Sequence, residues 1–235
     1  METWKKKNIN IFYRKAPKLN WKNNEFYKIV LIGEAGVGKT CIINQYINQK
    51  FDPNLVSSSS GQSIRKTVTL SNNKDINFSI FDTAGQERFR ALARIFYKEA
   101  HVVILVYDIT SSKSFQEIKD YWYGQVKETC GDDIIIAIAA SKSDLNDDRE
   151  VQDEEGEKFA KEIGSFFIAT SAKNDTGIIE LFDKIGKKLL DPNYDYSDNV
   201  GKKANLGMTP SFKISRLKSI KTTKEIQKEK KCCHF

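Results

Sequence analysis

The chain has 235 residues, 40% of them hydrophobic, and a formal charge of +7, which suits one domain of ordinary size with a core of its own plus tails. The charge sits at the ends: residues 1–25 carry seven Lys/Arg against two Glu, residues 192–235 carry ten against four acids, and residues 26–191 are left at −4. A mildly acidic domain between two basic arms argues against a nucleic-acid-binding face on the domain, and points the arms at an anionic surface, membrane or RNA.

Residues 1–25 are basic and aromatic, with Lys5, Lys6, Lys7, Trp4 and Trp21. They read as a solvated or loosely docked extension, ahead of the alternative of an interfacial membrane segment. There is no signal-peptide core, and no apolar run long enough to span a bilayer, so the expectation is a protein made and kept in the cytosol. The four cysteines, Cys41, Cys130, Cys232 and Cys233, fit neither a zinc pattern nor a disulfide framework, which agrees with a reducing setting.

From Tyr27 the chain alternates strand and helix. The run Tyr27 to Ile32 leads into Gly33-Glu34-Ala35-Gly36-Val37-Gly38-Lys39-Thr40, after which Cys41 to Tyr46 has helical spacing. Strand, glycine loop and helix start together form a place where backbone amides wrap a polyphosphate, with Lys39 giving charge to the outer phosphates and the Thr40 hydroxyl a ligand for Mg2+. The plain alternative is a glycine-rich turn with an exposed lysine. Cys41 is expected to be a small buried hydrophobe.

Further apolar runs at Val68 to Leu70, Ile76 to Phe81, His101 to Tyr107, Ile134 to Ala140 and Phe166 to Ala169 predict strands. Helical patterns fall at Glu87 to Lys98, Ser114 to Cys130, Asp153 to Ile163 and Ile178 to Leu190. Continuous apolar runs without alternation belong to strands covered on both faces, so the fold class is α/β, a mostly parallel sheet between helical layers. Ligands bind such sheets at the carboxyl ends of the strands.

Three further ends carry chemistry. Asp82-Thr83-Ala84-Gly85-Gln86 places a carboxylate to hold Mg2+ through water, a glycine amide for a terminal phosphate and a glutamine to orient attacking water. Read alone it is more readily a strand, turn and helix cap with Asp82 or Thr83 as the N-cap, and only its pairing with the glycine loop reverses that preference. Ser141-Lys142-Ser143-Asp144 places a carboxylate able to accept two N–H bonds from guanine, a donor pair that adenine lacks. Ser171-Ala172-Lys173 offers a backbone amide to guanine O6, a weak signal by itself. After Asp191-Pro192, residues 192–235 read as a flexible tail ending in Cys232-Cys233-His234-Phe235.

Taken in order, these four motifs resemble the small Ras-like GTPases, and Asp82 to Arg90 together with the terminal cysteine pair resembles the Rab branch. The resemblance implies a Ras-like P-loop G domain over residues 26–191, with a six-stranded sheet and five helices. It implies a GTP/GDP switch in vesicle traffic, dependent on Mg2+, with slow hydrolysis aided by an activating protein. By position it assigns phosphate contacts to Gly33, Glu34, Ala35, Gly36, Val37, Gly38, Lys39, Thr40, Cys41, Ser58 and Gly85, and water alignment to Gln86. It assigns the metal to Thr40, Ser58 and Asp82, and guanine to Ser141, Lys142, Asp144, Ser171, Ala172 and Lys173. Cys232 and Cys233 would carry geranylgeranyl chains. The implied partners are a guanine-nucleotide exchange factor, a GTPase-activating protein, a GDP-dissociation inhibitor, a prenylation escort and effectors that read both switches. No nucleic acid is implied. The implied place is the cytoplasmic face of an endomembrane, held by lipid and the basic tail.

The chain also departs from the family pattern. Ser58, inside Ser57 to Ser60, stands where the family has a threonine, Ser63 where Rabs place an aromatic beside the positions of Phe81 and Phe96, and Ser141 where the guanine motif begins with asparagine or threonine. These changes motivate the alternative of a pseudo-GTPase that holds nucleotide with little turnover. Retention of Gln86, Thr40 and Asp82, and a small residue at Ala35, weigh for hydrolysis.

Overall fold

A computed structural model describes residues 26–53, 63–83 and 90–196. Six strands form one sheet in the order β2-β3-β1-β4-β5-β6. They are β1 Tyr27–Ile32, β2 Ser63–Thr69, β3 Asp75–Asp82, β4 Val102–Asp108, β5 Ile135–Ser141 and β6 Phe166–Ala169. Only the β2 and β3 pair is antiparallel. Around them lie α1 Lys39–Asn48, α2 Arg90–Tyr97, α3 Ser112–Glu117, α4 Tyr123–Cys130, α5 Asp153–Glu162 and α6 Ile178–Leu190.

The sheet is central because its strands have two apolar faces. Every residue of β4 is buried. Ile29, Leu31, Ile104 and Val106 face Ile42, Leu181, Phe182 and Ile185 of α1 and α6. Val30, Ile32, Leu105 and Tyr107 face Phe115, Ile118, Trp122, Val126 and Phe159 on the other side. Both layers are closed, as expected for strands without alternation.

The strand at the β2 edge differs from the expectation at Val68 to Leu70. It starts at Ser63, with exposure alternating along its length, so a search for continuous apolar runs finds only its end. Leu70 lies past the strand, buried beneath α6, where a Cβ on Gly186 would come within 2.5 Å of it. The pattern Ser114 to Cys130 is one rod with an interruption: α3 begins earlier, capped by Ser111, and passes through a π turn at Ile118–Trp122 into α4. Of the helix expected over Glu87 to Lys98, the described part is α2. Beyond residue 191, Tyr196 packs on Phe166 with ring centroids 4.4 Å apart, and Lys188 donates to the Tyr194 carbonyl at 2.9 Å. Among the described residues, no helix is long and apolar enough to cross a membrane.

Strand order reverses on either side of β1, and the carboxyl ends of the parallel strands β1, β3, β4, β5 and β6 lie at one end of the sheet.

Candidate functional site

The loop from Gly33 to Gly38 connects the buried end of β1 to α1. Its glycines are required by shape: Gly33 has φ 149° and a Cβ there would lie 2.1 Å from the Val106 carbonyl oxygen, while Gly38 has φ 99° and a Cβ would lie 2.6 Å from Ser141 Oγ. The second close approach sets the glycine loop against the end of β5. The N-terminus of α1 has no side-chain cap and no acid in its first turn. The α3 and α5 helices satisfy theirs, α3 through Ser111 and α5 through a reciprocal pair of Gln152 and Glu155. The amides at the start of α1 thus form a donor set suited to an anion.

Lys39 is buried, and its ammonium donates to the carbonyls of Gly33 at 2.9 Å and Glu34 at 2.7 Å. Burial lowers its pKa to about 8, against the opposing pull of Asp82 and Glu34. Beside it the Thr40 hydroxyl donates to Asp82 Oδ2 at 2.7 Å. A hydroxyl and a buried carboxylate in contact, contributed by a helix start and a strand end, are the hard oxygen donors that Mg2+ prefers. The residues present therefore fit a magnesium ion bound through Thr40 and Asp82. Thr83 donates to the Leu31 carbonyl at 2.7 Å, which fixes the end of β3 against β1.

The guanine candidates also converge. The Ser171 hydroxyl donates to Asp144 Oδ1 at 2.6 Å and accepts from the Asn174 amide at 3.0 Å. The Ser143 amide donates to the Thr170 carbonyl at 3.0 Å, tying the loop after β5 to the loop after β6. Ser141 and Ala172 are buried, Lys142 and Asp144 half-buried, and Lys173 exposed. Cys41, expected to be buried, is half-buried and packs against the core, and burial raises its thiol pKa. Ser63 is exposed and sits opposite Phe81 in the β2 and β3 ladder.

One feature escapes any motif. Asp108, at the end of β4, forms an ion pair with Lys142 at 2.5 Å. No local pattern marks it, because the partner is 34 positions away. Ser58, Gly85, Gln86, Cys232 and Cys233 lie outside the described residues, as do residues 1–25 and 197–235. A cleft of about 160 Å3 between Phe115, Lys119 and Phe159 shares no residue with this site.

The Ras family pattern matches residues 28–191. The chain is 36% identical over 206 residues to Ras-related protein Rab-22A of Mus musculus, covering 88% of this chain and 97% of that protein. It is 37% identical over 184 residues to Ras-related protein SEC4 of Saccharomyces cerevisiae, covering 77% and 84%. It is 38% identical over 165 residues to Ras-related protein Rab-21 of Bos taurus, covering 70% and 73%.

Proposed function

The chain belongs to the Ras family, in its Rab branch, and from that premise we propose how its own residues run the nucleotide switch. Rab proteins bind GTP and GDP with Mg2+, hydrolyse GTP to GDP and phosphate, and act in vesicle traffic at endomembranes under the control of regulators and effectors; this chain is such a GTPase. No observation on the described residues favours a pseudo-enzyme.

The observation that carries the residue assignment is the Thr40 and Asp82 pair beside buried Lys39 at the uncapped start of α1. Loop amides from Gly33 to Cys41 and the Lys39 ammonium hold the phosphates. Thr40 and Asp82, with Ser58 from the first switch, hold Mg2+, which when bound neutralises charge on the phosphate oxygens. Gly85 donates its amide to the γ-phosphate, and Gln86 orients the attacking water. Asp144, fixed by the Ser171 hydroxyl, accepts from the guanine N1–H and N2–H2 groups, while Ser141, Lys142, Ala172 and Lys173 enclose the base. Few groups in this set stabilise the charge that develops during cleavage, so intrinsic turnover is slow and an arginine from an activating protein supplies the missing term.

The finer partners follow the same reading: an exchange factor, an activating protein, effectors that read both switches, and a GDP-dissociation inhibitor and prenylation escort that handle lipid on Cys232 and Cys233. Two geranylgeranyl chains with Lys221, Lys224, Lys228, Lys230 and Lys231 anchor the protein to the cytoplasmic face of an endomembrane.

The test is a single turnover. Purified protein loaded with GTP and Mg2+ and freed of excess nucleotide should convert its bound GTP to GDP over hours, and Gln86→Leu should slow that conversion without weakening GDP binding. Bound GTP that persists in the parent chain, or an unaltered rate in the variant, would overturn the assignment.

A further inference from the structure

We propose that Asp108 is a positioning residue of the nucleotide site, a buried carboxylate that holds the Lys142 ammonium across the gap between the ends of β4 and β5 before nucleotide binds. The inference rests on the reading of Lys142 as a guanine-side residue. Asp108 stands opposite Ser141 in the parallel β4 and β5 register, so the residue after its neighbour is the lysine it must reach.

Asp108 is only 7% exposed. A carboxylate that deep is costly unless both its lone pairs and its charge are met. Here Oδ1 accepts from the Thr110 amide at 2.9 Å and the Thr110 hydroxyl at 2.8 Å. The Asp108 amide donates to Ser114 Oγ at 3.0 Å, anchoring the backbone to the start of α3. Oδ2 is left for Lys142, at 2.5 Å. The carboxylate is thus immobile before the lysine arrives.

Lys142 is the opposite kind of residue. Its side chain is 37% exposed, and its backbone has φ 62°, a left-handed conformation that a lysine adopts at some cost. A long side chain free to wander would lose rotamer freedom on closing against a base. The ion pair removes that freedom beforehand, which is preorganisation. The two acids of the site therefore divide the work: Asp144, held by Ser171, faces the base, and Asp108, held by Thr110, faces the lysine.

Asp108→Asn keeps the shape and the acceptor for Thr110 but drops the charge. The experiment measures release of fluorescent GDP from the full chain in four forms: parent, Asp108→Asn, Lys142→Ala and the double variant. Asp108→Asn alone should speed release roughly three- to ten-fold. In the Lys142→Ala background the same change should add less than about two-fold, because its effect passes through the lysine. Equal acceleration in both backgrounds overturns the inference and makes Asp108 a structural residue of β4. Unchanged release on Lys142→Ala alone also overturns it, by removing Lys142 from the site, and so separates failure of the underlying reading from failure of the bracing. Should Asp108→Asn not fold, Thr110→Val enters the same cycle and must show the same coupling.

Discussion

In the phosphate role proposed for it, Lys39 ties pH to binding. In the free protein it titrates at about 8, because burial takes water from its ammonium and Asp82 and Glu34 only partly offset that. Phosphate oxygens favour the charged form, so nucleotide raises this pKa and binding takes up a proton above about pH 8. GDP affinity should hold below that value and fall with rising pH, by up to about ten-fold per pH unit. The nucleotide-free fold should respond with the opposite sign, gaining stability as pH rises from about 8 towards the ordinary lysine value of 10.5, since there the unfolded chain binds more protons. Titrating GDP at about pH 7, 8 and 9 checks the first claim; affinity independent of pH would remove Lys39 from the phosphate site.

The elements are coupled at a contact remote from the nucleotide. The turn between β2 and β3 is attached to α6: Ser71 donates its amide to Asp183 at 2.7 Å and its hydroxyl at 2.9 Å, and Lys187 pairs with the same carboxylate at 2.8 Å. Burial alone would raise the Asp183 carboxyl, but Lys187 and both Ser71 bonds outweigh it and hold its pKa below the ordinary 3.8. This attachment is fully present above that value and is lost as pH falls through the lower folded one. Asp183→Ala should cost about 1–3 kcal/mol in urea unfolding, because three donors, the Ser71 amide and hydroxyl and the Lys187 ammonium, lose their acceptor. With both Ser71 bonds lost, it should also speed amide exchange from Ser71 to Lys74. Unchanged stability would mean that Leu70 under Gly186 holds the hairpin unaided.

For the molecule as a whole, the proposed anchor has charge and lipid acting together. The acidic body at −4 has little attraction for an anionic bilayer, while the ten basic residues after position 191 have a great deal. Truncation after Lys231 should leave nucleotide binding intact and move the protein from the membrane pellet to the soluble fraction of a cell lysate. A truncated form that still pellets would place the anchor elsewhere, with residues 1–25 next to be removed.

The glycine loop, the Asp82 motif and the Ser141 to Asp144 loop stand out as motifs in the sequence because each gathers its polar groups in adjacent residues at a strand end, and the nucleotide roles given to them are those proposed above. The doubly buried strands were legible for a related reason, since unbroken apolar runs such as Val102 to Val106 leave no face for water. The β2 edge strand was harder to see, because alternate exposure dilutes its apolar signal. The π turn at Ile118–Trp122 was also hidden, since it keeps the rod's apolar spacing. What only the tertiary structure decided are the pairings across long separations: Thr40 with Asp82, Ser171 with Asp144, Asp108 with Lys142 and Ser71 with Asp183. Sequence determines which groups exist and the period on which they fall. Which charge meets which depends on parallel register and on the order β3-β1-β4-β5, and those are set by the burial of whole faces at once.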